Sequence, residues 1–236
     1  MGKIKHISLI GIDKNTDLDK LQELQKKYPL AEFGVILSKN WAENGNRYFN
    51  PAELYKLRDR GLNLSAHLCG SVARSAIRNN FGPAMELCGK DFSLFKRAQL
   101  NIAKSDKNPS QLILDLPVSL EEVIIQQESA FKCDLFLSLF NTDLYKGDVS
   151  VLIDGSGGLG IETEMVPLNI NVKVGYAGGL NPENILQKTK FLMESSEVND
   201  FWVDMESGIR TDNWFDLEKT ESVLRQVYSL ISVNNK

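Results

Sequence analysis

Leu62-Asn63-Leu64-Ser65-Ala66-His67-Leu68-Cys69 alternates without a break. In an extended strand Leu62, Leu64, Ala66 and Leu68 share one face, and Asn63, Ser65, His67 and Cys69 share the other. Seven more short apolar runs lie along the chain, at 4–10, 31–37, 98–102, 122–126, 149–154, 172–177 and 201–204, with amphipathic stretches between them. Eight such alternations in 236 residues give about 30 residues per unit, the length of a strand-helix repeat. Strands that alternate with helices pair in parallel, and eight of them predict an α/β protein with a closed (β/α)8 TIM barrel. A doubly wound open sheet is the alternative. No Pro/Ser-rich linker divides the chain, so residues 1–236 read as a single barrel domain.

Helical segments carry their own signals. Leu18, Leu21, Leu24 and Tyr28 recur at helical spacing, as do Val223, Val227, Leu230 and Ile231 near the C-terminus. Asn50-Pro51-Ala52-Glu53 supplies a cap, a proline at the first helical position and an acid in the first turn. Asn108-Pro109 and Asn181-Pro182-Glu183 repeat that signal. Asn79-Asn80-Phe81-Gly82-Pro83 breaks one helix before a second begins, and Glu162 to Val166 offers only a helical turn.

In a parallel barrel the strands meet helices on the outside and one another's side chains within. The apolar set of 62–69 suits the helix side, which sends Ser65, His67 and Cys69 inward. The next strand does the same with Gln99 and Asn101 against Leu100 and Ile102. Barrel interiors are normally filled by bulky apolar residues, so polar inward groups at the C-terminal strand ends mark a site. An internal hydrogen-bond network is the plainer explanation.

The composition bounds the partners. Lys+Arg 27 against Asp+Glu 31 gives a net charge of −4, and 42% of residues are hydrophobic. That balance argues against disorder and against nucleic acid as a partner. Three cysteines without C-x-x-C spacing speak against a disulfide framework and for a reducing, cytoplasmic setting. The early apolar stretch ends at Asp13, too short for a secretion signal, and no membrane span is expected.

Glycines gather after three strands. Asp154-Gly155-Ser156-Gly157-Gly158-Leu159-Gly160 follows the sixth, Ala177-Gly178-Gly179-Leu180 the seventh and Ser207-Gly208 the eighth. Glycine lets backbone N–H groups approach an anion, and loops seven and eight of such barrels often hold phosphate. Tight turns without a ligand would use glycine equally well. Residues 155, 157 and 160 also fit G-x-G-x-x-G, but no long helix follows and no first βαβ unit precedes, so a dinucleotide is not expected.

At these turns the chain resembles the phosphoribosylanthranilate isomerase family. Tyr176-Ala-Gly-Gly-Leu-Asn-Pro-Glu-Asn-Ile185 matches its "LAGGLNPENV", and Val203-Asp-Met-Glu-Ser-Gly-Ile209 resembles its "VDVSSGVE". Gln99-Leu100-Asn101 stands at its "QLHG", and Asn46-Arg47-Tyr48 at its "S-x-R-Y". The resemblance implies an Amadori isomerisation of an aminoaldose phosphate without cofactor or metal. It gives the acid to Asp154, which as a residue alone could equally be a turn cap. It gives a substrate carboxylate to Arg47, a substrate contact to Asp204, and phosphate to Gly178, Gly179, Ser207 and Gly208.

The departures fall on the chemistry. Ser8-Leu9-Ile10-Gly11-Ile12 stands where the family has "K-I-C-G-I", so Ile10 replaces the cysteine base. Glu206 takes the place of a small residue beside the phosphate, and Arg210 that of a glutamate. His67 and Cys69 are the replacement bases at hand, His67 by its ordinary pKa and Cys69 only if its thiolate is favoured. His67-Leu68 is also similar to the "H-L-M" of ribulose-phosphate 3-epimerase, whose metal partners on strand two have no counterpart here. The expected function is a sugar-phosphate isomerase of altered substrate or base, acting on a small phosphorylated sugar derivative. The alternatives are a non-catalytic or regulatory ligand-binding relative, or an enzyme of another class on the same barrel.

Overall fold

The computed structural model describes residues 2–42, 46–78, 80–89, 92–101, 120–128, 148–168, 172–195 and 200–234. Strands β1 (Lys3–Ile10), β2 (Ala31–Leu37), β3 (Leu64–Leu68), β4 (Arg97–Leu100), β5 (Glu122–Gln127), β6 (Asp148–Asp154), β7 (Val174–Ala177) and β8 (Asp200–Met205) close into a barrel in chain order. Every neighbouring pair is parallel, and β8 returns to β1 with Ser8 opposite Asp204. Helices α1 (Leu18–Lys27), α2 (Ser71–Ile77), α3 (Gly82–Leu87), α4 (Ile185–Glu194) and α5 (Leu217–Asn234) accompany them. The closed (β/α)8 barrel expected from the alternation is therefore the fold, and the open sheet is excluded. Among the described residues no helix is long and apolar enough to cross a membrane.

Local chemistry explains where the helices begin. Asp17 caps α1 by accepting from the Asp19 and Lys20 amides, and Leu21 and Leu24 bury the face that the spacing marked. Asn50 accepts from Ala52 N–H as read, but the segment it opens, Pro51–Leu57, winds as a 3-10 helix. Asn181 bonds the Glu183 and Asn184 amides, so Asn181-Pro182-Glu183 is a capping turn and α4 starts only at Ile185. Residues 162–166 form no helical turn. Asn108-Pro109 lies outside the described residues.

Strand parity divides the core. Leu9, Phe33, Val35, Ala66, Leu68, Leu100, Val123, Val151 and Val203 join the large apolar cluster that also takes in Leu21, Leu192 and Val223 of the helices. The opposite positions hold Ser8, Glu32, Ser65, His67, Arg97, Gln99, Glu122, Ser150 and Asp204, all buried. Ile124, Leu152 and Trp202 make a small apolar plug among them. A Cβ on Gly34 would come within 2.6 Å of Ile10 and 2.8 Å of the His67 ring, so even-numbered β1 and β2 positions converge with His67. Trp202 is 1% exposed and fills the room that Gly175 leaves.

One ionic network crosses this interior. Arg97 Nη1 donates to both Glu32 oxygens at 3.0 Å, and its Nε lies 3.1 Å from Glu122 Oε2. Ser8 Oγ donates to Glu32 at 2.8 Å, and the guanidinium sits 4.8 Å from the centre of the Trp202 ring. Burial works to raise the Glu32 carboxyl, but Arg97, His6 and Ser8 outweigh it and hold it below its ordinary value. Buried charges persist only when paired in this way. The strand reading began at 98 and so missed Arg97, the residue on which the network turns.

Candidate active site

A cavity of about 680 Å³ opens where the strands end, at the C-terminal face. Its wall includes Asp154, His67, Cys69, Arg47, Gln99, Asn101, Asp204, Gly178, Gly179 and Ser207. Thus residues from six strand ends or the loops after them, expected separately, share one wall. Gly208 stands outside that wall, and a Cβ on it would meet the Leu180 carbonyl at 2.0 Å.

Two carboxyls face the cavity in unlike surroundings. Asp154 ends β6 and accepts four hydrogen bonds: Ser156 N–H and Oγ on Oδ1, Gly158 N–H and Gln126 Nε2 on Oδ2, at 2.6 to 3.1 Å. An ionised carboxylate offers about four acceptor sites, so this one is fully engaged. Asp204, 7% exposed, has no hydrogen-bond partner for Oδ2 among the described residues. Burial, then the charges of Asp154, Glu32 and Glu206, push its carboxyl well above the usual range, and Arg97 opposes them only in part. Asp204 is accordingly the harder of the two to ionise.

The two residues weighed as bases are held neutral. Burial drives the His67 imidazole down to about 4, although Glu32 works against it. Its Nε2 lies 3.2 Å from Ser65 Oγ. Desolvation pushes the Cys69 thiol up to about 12, with Asn101 Nδ2 donating to its sulfur at 3.2 Å. No thiolate is favoured there. Gln99 Nε2 donates to Asn101 Oδ1 at 2.8 Å, which ties the β4 pair together. His6, also lowered by burial, belongs to the opposite end with Arg97, Glu32 and Glu122.

At the mouth, Arg47 reaches across from the loop after β2 and donates through Nε to Glu206 Oε1 at 2.8 Å, with Nη2 on the same oxygen. Arg210 opens the hairpin β9 (Arg210–Thr211) and β10 (Trp214–Phe215). It donates to the carbonyls of Gly11 at 2.5 Å, Asn213 at 2.7 Å and Asn46 at 3.1 Å. Gly11 has φ +85, and a Cβ on it would lie 2.0 Å from Arg210 Nη2, so glycine is what seats that guanidinium. The two glycines after β7 serve packing as well. A Cβ on Gly178 would meet Thr163 Oγ1 at 2.2 Å, and one on Gly179 the Glu162 backbone at 2.3 Å.

The sequence reading did not foresee the Arg47–Glu206 bridge, the strapped Arg210 or the unpartnered Asp204 oxygen. Residues 47 and 206 are 159 apart in the chain, and only their opposite charge hinted at a pairing. Among the described residues no three His, Cys, Asp or Glu side chains gather as a metal set. Cys133 lies outside the described residues.

N-(5'-phosphoribosyl)anthranilate isomerase from Pyrococcus furiosus is similar in structure, with a TM-score of 0.54 over 95% of this chain and 98% of that one. The chain has the fold of that isomerase. Sequence identity is 16%, and no family model and no curated protein matches the chain. A shared barrel does not carry a shared reaction, so roles rest on the side chains just described.

Proposed function

We propose that the chain is a divergent relative of phosphoribosylanthranilate isomerase that moves a proton within a small polyhydroxylated carbonyl compound, in the manner of aldose-ketose isomerases. The observation that carries this reading is Asp204: a buried carboxyl on the cavity wall, one oxygen without a hydrogen-bond partner among the described residues, its ionisation opposed by burial and then by the charge of Asp154. A neutral carboxylic acid beside a saturated carboxylate is the arrangement in which one group donates and the other keeps it protonated. Asp204 therefore takes the role of proton donor, and Asp154 becomes its electrostatic partner and the anchor of the loop after β6. Gln99 and Asn101 offer amide groups to substrate hydroxyls, and Gly178, Gly179 and Ser207 bound the far end of the ligand.

A non-catalytic binding relative is the second reading. Ile10, which cannot take a proton, lies on the cavity wall with a neutral His67 and a neutral Cys69. The test is solvent exchange. Wild type, Asp204→Asn and Ile10→Cys are incubated in heavy water with aldoses and aminoaldoses, with and without phosphate, N-(5'-phosphoribosyl)anthranilate included. Deuterium uptake is followed by mass spectrometry. The expected result is uptake by wild type and a loss of about 10²–10⁴-fold in Asp204→Asn. Undiminished exchange in Asp204→Asn removes the donor role, and exchange by Ile10→Cys alone favours the binding relative.

A further inference from the structure

The charges along the cavity select its ligand. Its wall carries the carboxyls of Glu128, Asp154, Asp204, Glu206 and Asp212 against the guanidiniums of Arg47 and Arg210. Even with Asp204 left out of the count, the acids among the described lining residues outnumber the arginines four to two. Both arginines are already engaged, although Arg210 Nε has no hydrogen-bond partner among the described residues and Arg47 is half-exposed. Arg47 is bonded to Glu206, and Arg210 spends donors on three carbonyls while lying 3.6 Å from Asp13 Oδ2. Glu206 is the hub: its Oε1 takes Arg47 and lies 3.9 Å from Arg210 Nε, so one carboxylate occupies both cations at the mouth.

We propose that Glu206 is the residue that sets substrate charge, making the cavity a site for an uncharged or amine-bearing polyol and excluding phosphate. A carboxylate already placed between the two guanidiniums answers their charge internally, and an incoming phosphate dianion meets repulsion in place of an open cation. Discrimination by a built-in repulsive group is a general route to specificity. The inference rests on the cavity being the substrate site of the proposed isomerase. It is read by binding and not by turnover, so a failed exchange experiment would remove the activity and leave the charge preference standing.

The experiment measures binding of ribose, ribose 5-phosphate and inorganic phosphate to wild type, Glu206→Gln, Glu206→Ser and Arg47→Gln. Calorimetry supplies the affinities, and circular dichroism verifies the fold of each variant. Wild type should prefer ribose to ribose 5-phosphate. Glu206→Gln and Glu206→Ser should gain about 100-fold for the phosphorylated probe, the size expected when a close like-charge contact is removed. Arg47→Gln opens the same bridge but keeps the carboxylate, and should gain nothing. The proposal is overturned if neither Glu206 variant acquires phosphate binding, whether or not wild type binds any probe. It is overturned equally if wild type prefers ribose 5-phosphate, or if Arg47→Gln gains as much as Glu206→Gln.

Discussion

Replacing Arg97 by methionine tests whether the barrel interior depends on its charges. The substitution removes a guanidinium that lies 3.0 Å from both Glu32 oxygens and 3.1 Å from Glu122 Oε2, in a residue 4% exposed. Deleting one partner of a buried pair costs about 3–5 kcal/mol, because the remaining charge is stranded. Two carboxylates are stranded here, yet the cost does not double. Glu122 keeps Lys173 Nζ at 3.5 Å, and a stranded buried carboxyl takes up a proton sooner than stay charged. A loss of about 4–6 kcal/mol at pH 7 follows, or about 8–24 °C in Tm for a chain of this size.

The loss should depend on pH. In wild type the folded Glu32 value lies below the ordinary 4.5, so its pairing stabilises above that pH and is lost as pH falls through the folded value. In Arg97→Met only His6 and the Ser8 hydroxyl still oppose burial, so the Glu32 carboxyl rises, and the penalty of keeping it charged fades once the medium supplies a proton. Urea unfolding followed by circular dichroism at pH 7 and pH 4 should therefore show the deficit shrinking in acid. The charge-free triple variant Glu32→Gln/Arg97→Met/Glu122→Gln should recover to within about 2 kcal/mol of wild type. A deficit below about 1 kcal/mol at pH 7, the value of a solvated pair, would refute the reasoning, as would equal deficits at both pH values.

Two further outcomes are expected. His67 is held at about 4 against an ordinary 6.5, so the unfolded chain binds the extra proton between those values. Stability should then fall by up to about 3 kcal/mol on acidification through that window, and His67→Gln should remove this slope from the pH profile of unfolding; an unchanged slope would contradict the assignment. Gly34→Ala would thrust a methyl to 2.6 Å from Ile10 Cδ1 and 2.8 Å from the His67 ring, which should cost about 1–3 kcal/mol. Adding Ile10→Val, which lacks that carbon, should return part of it in the same unfolding assay, and a cost untouched by the second change would say the strain lies elsewhere.

The barrel was legible because its signal is local and repeated. Alternation in 62–69 and at 98–102 fixed which faces of β3 and β4 look inward, and His67, Gln99 and Asn101 followed from it. Asp154 was found through its glycine turn, but its hydrogen-bonded setting was not. Four hydrogen bonds from Gln126, Ser156 and Gly158 depend on how a loop folds back, which no spacing records. The ionic network was hidden for a related reason. Glu32 and Glu122 sit in strands whose neighbours are apolar, and Arg97 Nη1 finds Glu32 across 65 residues. Only closure of the barrel brings them together. Asp204 was named as a ligand contact, yet what distinguishes it is its charged surroundings, which belong to three other strands and the loop after its own.

The Gly11–Arg210 contact has a mechanical meaning. A closed barrel has one seam where its first and last strands meet, here β1 against β8. Arg210 Nη2 fastens to the Gly11 carbonyl across 199 residues, and Phe215 N–H to Asp13 Oδ2 at 2.7 Å across 202. Both rivets lie at the ligand end. At the far end β1 pairs with β8 through a bulge between Ile4 and His6. The seam is thus riveted at its mouth by bonds from the chain beyond β8, and held at its foot by strand pairing around one bulge and by the Lys5–Asp200 ion pair at 3.0 Å.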